Sequence, residues 1–325
     1  MVLIDKEYIK EKIDDTFAEA FDGLYCRLLV TAERGLCEED TKSSKIEFDP
    51  LRFAAYRATS TPAVVVGRIE AGIERWLTND ETPDGREGVI LQFWGMYDKK
   101  KPLEEQAENF YKELSIRIRQ DILSASGGTT RIYDWIGADK SVYKLDANER
   151  VGKCGGGYEW YGKDNDRKYI NVPLMMGCDF KIDKTLNCGI GISGANIWFF
   201  CDSVETGRLV GKEAIKAMEK IDGVIASFYI CPSGSMVGNY PPIGPPTNHP
   251  YCPSLKESIK DSKVPEGVKS IPEIVIDGTS LKAIKQAMHD GIIAVSKIEG
   301  LERISAGNYG GKLGAYKIHL LDLFK

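Results

Sequence analysis

Two segments of this chain share one order of elements, and that repetition constrains the fold more than any other feature. Ile190 to Cys201 reads as a strand, residues 206–221 as a helix with Val210, Ala214, Met218 and Ile221 on one stripe, and Val224 to Ile230 as a second strand beyond the helix-breaking Gly223. Residues 273–321 repeat the order. A strand at Glu273-Ile274-Val275-Ile276 leads to a helix striped by Leu281, Ile284, Met288 and Ile292, then to a glycine-rich turn from Ser305 to Gly314 and a closing strand. A helix with one apolar stripe must bury it against another element. Two β-α-β units of this kind imply an α+β fold of the ferredoxin-like type, with antiparallel sheets and helices packed on one face. No G-x-G-x-x-G follows a strand, which excludes a dinucleotide-binding fold.

At 325 residues the chain exceeds the size at which one core usually stops growing, so two lobes are expected, 1–150 and 151–325. In the first, residues 7–22 look helical, with Phe17 and Phe21 one turn apart, and Leu24 to Thr31 is strand-like. The charged segment 33–45 has the composition of a surface loop. A helix near Pro50 to Arg57 and a β run at Ala63-Val64-Val65-Val66 follow. Glu81-Thr82-Pro83-Asp84-Gly85-Arg86 is a turn by its chemistry. Val89 to Trp94 is a strand, and Leu103, Ala107, Phe110, Leu114, Ile118 and Ile122 mark a helix ended by Gly127-Gly128. Residues 129–168 read as irregular.

Composition removes several function classes. A hydrophobic share of 42% and a charged share of 28% are those of a globular protein, not a disordered one. A formal charge of −5, with no basic run longer than Lys99-Lys100-Lys101, argues against nucleic-acid binding. No stretch approaches the roughly 20 apolar residues of a membrane span, and the start of the chain turns charged too soon for a signal peptide, so a cytoplasmic location is expected. Eight scattered cysteines without a C-x-x-C pair read as reduced, mostly buried thiols, and no metal site is expected.

Three features carry candidate chemistry. Glu273 alternates onto one strand face with Val275 while two isoleucines take the other, which sets a carboxylate in an apolar layer. Residues 231–253 run for over twenty positions without a period, stiffened by proline and rich in polar groups. Ser233, Ser235, Thr247 and Asn248 offer fixed donors and acceptors to an extended polar ligand. The turn Gly307-Asn308-Tyr309-Gly310-Gly311-Lys312-Leu313-Gly314 is not a P-loop, because Ala306 and Leu313 stand where a glycine and a Ser/Thr are required. It is either a tight turn or a substrate-contacting loop, with Asn308 and Tyr309 as polar contacts and Lys312 as an anion contact.

Several ordered motifs carry a resemblance. Ile13 to Phe21, Glu70 to Glu74, Glu81 to Arg86, Pro265 to Val268, Glu273 to Gly278 and Ile304 to Phe324 together resemble the formylmethanofuran:tetrahydromethanopterin formyltransferase family. The resemblance implies two ferredoxin-like lobes and a homo-oligomer, dimer or tetramer, with its site near a subunit contact. It implies reversible formyl transfer between methanofuran and N5 of tetrahydromethanopterin, both coenzyme substrates, with no tightly bound cofactor. It makes Glu273 the catalytic residue. A transferase subunit of a formyltransferase/hydrolase complex, and a non-catalytic paralogue that binds a one-carbon carrier, are the alternatives. Two departures stand out: the 33–45 segment is long for the family, and Met236 occupies a position where the family commonly has lysine.

Overall fold

The computed structural model describes residues 6–33, 49–164, 166–234 and 248–325. In chain order these form α1 (Lys6–Glu11), β1 (Phe17–Ala32), α2 (Pro50–Thr59), β2 (Glu70–Leu77), β3 (Gly88–Met96), α3 (Leu103–Arg117), β4 (Thr130–Asp134), β5 (Tyr143–Asp146), β6 (Trp160–Asp164), β7 (Arg167–Pro173), β8 (Asp179–Asp183), β9 (Thr185–Cys201), α4 (Val204–Met218), β10 (Val224–Ala226), β11 (Glu273–Gly278), α5 (Leu281–Val295), β12 (Leu301–Ser305) and β13 (Tyr316–His319). They pack as two units, one of the residues up to Asp22 with Gly191–Lys325, the other of Gly23–Ile190. The sequence suggested a break near 150. The packing divides elsewhere because β6 to β8 join the earlier strands, β8 running parallel to β4 and β7 and β6 continuing beyond it, while β5 pairs with the start of β9.

The second unit contains the β-α-β-β-α-β order of a ferredoxin-like motif, with strands paired β2-β3-β1-β4. Alternation sends Cys26, Leu28, Leu91 and Phe93 into a core shared with Ala55, Phe110, Leu114 and Ile118. The opposite face of the same strands carries a buried polar chain. Arg27 donates to both oxygens of Glu74 at 2.7 and 2.5 Å, Gln92 Nε2 to Glu74 at 2.7 Å, and the Trp94 indole to Gln92 at 2.9 Å.

The first unit repeats the motif through β9, α4, β10, β11, α5 and β12, with strands paired β10-β11-β9-β12, all antiparallel. Ser203 and Ser280 cap α4 and α5, each accepting a backbone N–H at 3.1 Å from three residues on. Ile197, Phe199, Ile274, Ile276 and Ile304 point to the helices and meet Val210, Ala214, Met218, Ile284, Met288 and Ile292 in one core. The ferredoxin-like expectation holds for both motifs.

Several local expectations give way. Residues 17–21 are strand, not helix: Ala18 and Ala20 are buried and pair with Ile318 and Tyr316 of β13, so tertiary pairing overrides alanine's helix preference. The run at Ala63 to Val66 is a turn closed by Val66 and Gly67 N–H donating to the Ala63 carbonyl, with Val66 exposed. Within 129–168, β4, β5 and β6 are regular; every residue of β4 is buried, so it shows no alternation to read. The strand from Val224 stops at Ala226, three residues before the left-handed Tyr229. Of the cysteines in the described residues only Cys26, Cys188 and Cys201 are buried, not most of them. Among the described residues no helix is long and apolar enough to cross a membrane. The 33–45 segment, apart from Glu33, lies outside the described residues, as does Met236.

Candidate active site

Because α4 and α5 cover one face of the β10-β11-β9-β12 sheet, the strand residues that alternate away from them share the opposite face. Register sets Glu273 directly across from Trp198, Val275 across from Asn196, Arg303 beside Phe200 and Ser305 beside Trp198. Directly opposed residues in an antiparallel pair lie on one face with their Cβ atoms about 5 Å apart. A carboxylate, an indole, a carboxamide and a guanidinium are thereby collected on the helix-free side.

Glu273 is 1% exposed. Its Oε1 accepts the Trp198 Nε1–H at 2.9 Å. Its backbone exchanges two hydrogen bonds with Cys231, at 2.8 and 3.0 Å, so the 231–253 segment begins beside it. Trp198 is itself 6% exposed, stands edge-on to Tyr251 with centroids 4.9 Å apart, and belongs to a small apolar cluster with Phe200, Val264 and Val268. Desolvation disfavours the charged form of a carboxyl in such surroundings.

A cleft of about 550 Å³ opens over this face, lined among others by Trp198, Asn248, Tyr251, Arg303, Asn308 and Tyr309. Glu273 lies beneath it, reached through Trp198 rather than lining it. Arg303 and Lys263 bring positive charge to the lining, Asp14 and Asp15 negative charge. Arg303 Nε donates to Asp14 at 2.5 Å, and that hydrogen bond holds the guanidinium pKa above its ordinary value. A second cavity of about 390 Å³ shares Trp198, Asn248 and Tyr251 and adds Ser233. Asn248, Asn308 and Tyr309 therefore meet at one cleft and Ser233 at its neighbour. Lys312 is exposed and outside both linings, while Ser235 and Thr247 lie outside the described residues. Among the described residues no group of His, Cys, Asp and Glu could hold a metal.

Two polar anchors escaped the sequence reading. Asn196 donates to the Gly307 carbonyl at 3.1 Å and accepts its N–H at 2.6 Å, pinning the entry to the glycine turn. A Cβ on Gly307 would sit 2.7 Å from the Trp198 ring, so this close approach requires glycine. Glu19, 3% exposed, accepts the backbone N–H groups of Tyr309, Gly311, Leu313 and Gly314, three of them at 3.1, 2.9 and 3.0 Å. Assigning residues 7–22 to a helix hid it; the apolar-polar-apolar alternation of Ala18-Glu19-Ala20 was the available signal.

The fold and site together define an α+β enzyme of two ferredoxin-like motifs whose buried carboxyl lies under a polar cleft. Residues 7–174 match the family described as formylmethanofuran-tetrahydromethanopterin formyltransferase, and residues 178–323 match that family's proximal lobe. The chain belongs to the formylmethanofuran-tetrahydromethanopterin formyltransferase family. It is 46% identical to a formylmethanofuran--tetrahydromethanopterin formyltransferase-like protein of Archaeoglobus fulgidus, over 96% of each chain. To the formylmethanofuran--tetrahydromethanopterin formyltransferase of the same organism it is 36% identical, over 96% of this chain and 98% of the other. Among solved structures, the formyltransferase of Methanosarcina barkeri superposes with a TM-score of 0.81 at 32% identity, covering 96% of this chain and 98% of that one. A formyltransferase/hydrolase complex of Methylorubrum extorquens, bound to methylofuran, gives 0.80 at 29% identity over 96% of both chains.

Proposed function

We propose that the protein transfers a formyl group reversibly between formylmethanofuran and N5 of tetrahydromethanopterin, with Glu273 as its catalytic acid. The observation that carries the role is the burial of Glu273 against the Trp198 indole at 2.9 Å. An indole N–H only donates. Oε1 is therefore an acceptor, and in this reading the carboxyl works as a neutral acid because burial disfavours its charged form. In the reaction the pterin amine adds to the formamide carbon, a C–N bond forms, and the carbonyl oxygen takes the electron pair. A hydrogen bond from the neutral acid to that oxygen, made when the bound coenzymes reach past the Trp198 edge to Glu273, is worth about 3–4 kcal/mol in such sites. Collapse of the tetrahedral centre breaks the bond to the methanofuran nitrogen, which leaves as the amine on taking the Glu273 proton, and the carboxylate so formed recovers a proton from the N5 that added.

Methanofuran and tetrahydromethanopterin act here as coenzyme substrates, and no tightly bound cofactor takes part. Asn248, Asn308 and Tyr309 contact them in the main cleft and Ser233 in the adjoining cavity. Arg303 and Lys263 meet acidic groups of the coenzymes, a role for which the exposed Lys312 is less well placed. The protein acts in the cytoplasm as a homo-oligomer, dimer or tetramer. Glu273→Gln keeps the oxygen that accepts from Trp198 but cannot supply an acid proton. The glutamine still offers an N–H donor, so what is lost is proton transfer, and turnover should fall about 100-fold or more, with the unfolding midpoint little changed. Near-full turnover in a folded variant that binds both coenzymes would remove Glu273 from the mechanism.

One observation favours a second reading. Identity is ten points higher to the formyltransferase-like protein of Archaeoglobus fulgidus than to that organism's formyltransferase, 46% against 36%. A paralogue that binds a one-carbon carrier without turnover fits that ordering. Retention of Glu273 beneath the cleft supports catalysis over it.

A further inference from the structure

The glycine turn has the look of an anion-binding loop, and its backbone donors do converge on an anion, one supplied by the protein itself. N–H groups of residues 309, 311, 313 and 314 all point at the Glu19 carboxylate, two to each oxygen. Successive backbone N–H groups that curl round one point make a nest suited to a phosphate or carboxylate. Gly310 and Gly311 supply the curl with φ of 68° and 73°. Gly314 lies flat on β1, where a Cβ would stand 2.5 Å from the Ala20 carbonyl oxygen. A second tether sits at the start of the turn: Asn308 Nδ2 donates to Thr16 Oγ1 at 2.9 Å. Asn308, Tyr309 and Thr16 all line the main cleft.

We propose that Glu19 is a positioning residue, its carboxylate filling the nest of residues 309–314 and so fixing the turn that presents Asn308 and Tyr309 to the ligand cleft. Glu19 touches no ligand in this arrangement. Its effect reaches the reaction through the turn alone, and the kinetic arm of its test rests on the formyl-transfer reading above. If losing the carboxylate leaves the turn ordered in about a tenth of molecules, apparent affinity falls about tenfold, while saturating ligand selects the ordered form and preserves kcat.

Amide hydrogen exchange on the unmodified protein comes first and needs no activity. Amides 309, 311, 313 and 314 lie outside any helix or strand and should nevertheless exchange about 100-fold more slowly than an open turn. In Glu19→Ala those four amides should lose that protection while the Phe17–Ala20 pairing with Tyr316–His319 keeps its own. KM should rise about tenfold with kcat within about threefold, and Glu19→Gln, which retains one acceptor oxygen, should fall between the two. Acetate should refill the vacated nest and restore KM in Glu19→Ala; neutral acetamide should not. The proposal is overturned if the unmodified amides exchange like an open turn, if KM is unmoved in Glu19→Ala, or if acetate does no better than acetamide. Absence of formyl transfer in the unmodified protein would sink the reaction assignment instead, and the exchange and acetate-dependent protection measurements would still decide the placement of Glu19.

Discussion

Asp84 shows how a single residue turns a connector into a fastening. It sits in the Pro83-Asp84-Gly85-Arg86 turn, where sequence chemistry indicated only a change of direction. Its Oδ2 accepts Thr31 Oγ1 at 2.7 Å and Arg86 Nη2 at 2.6 Å, and Arg86 Nη1 reaches on to the Thr129 carbonyl. Burial pushes the carboxyl upward, but the hydrogen bonds from Arg86 and Thr31 outweigh it and leave the pKa below its ordinary 3.8. A folded-state pKa lower than the unfolded one contributes stability above the ordinary carboxylate range, and that contribution is lost as pH falls through the folded value. Asp84→Asn should therefore be less stable at neutral pH by about 1 kcal/mol, discounted for partial exposure. Denaturant unfolding across pH checks it. The gap between variant and parent should close below the ordinary carboxylate range, and a gap of constant size would contradict the ionic account.

Among the elements, the α4–α5 contact decides whether the covered face of the sheet stays closed. Gly291 allows it, since a Cβ there would stand 2.4 Å from the Met218 methyl and 3.6 Å from the Ala214 carbonyl oxygen. The methyl is the end of a flexible side chain and can move. Gly291→Ala should change stability by less than about 1 kcal/mol, since relief of glycine's helix penalty offsets the contact. Gly291→Leu overfills a packed interface and should cost about 1–3 kcal/mol. Thermal unfolding of the pair checks this, and equal midpoints would mean that the helices do not pack as closely as described. These helices and their strands were legible because amphipathic stripes and caps write themselves into sequence. β1 was not: Phe17-Ala18-Glu19-Ala20-Phe21 suits a helix by composition, and only pairing with β13 makes it a strand. β4 was invisible for the opposite reason, being buried on both faces and so without a period.

For the whole molecule, the ferredoxin-like motif of the C-terminal half was readable from element order and the other came from the family resemblance, whereas the discontinuous packing units were not legible, because nothing local tells β5 to β8 which strands they will join. The site divides along the same line. Glu273 declared itself as a carboxylate in an apolar strand, a local oddity. Trp198, Asn196, Arg303 and Glu19 act through partners 75 to 295 residues away, and spacing along the chain carries no trace of such pairs. The central claim is catalysis of formyl transfer, and mixing the protein with formylmethanofuran and tetrahydromethanopterin while following formyl-tetrahydromethanopterin by absorbance tests it most directly. The account predicts transfer in both directions that Glu273→Gln slows about 100-fold or more; no transfer, with both coenzymes shown to bind, would contradict it and leave a carrier-binding paralogue.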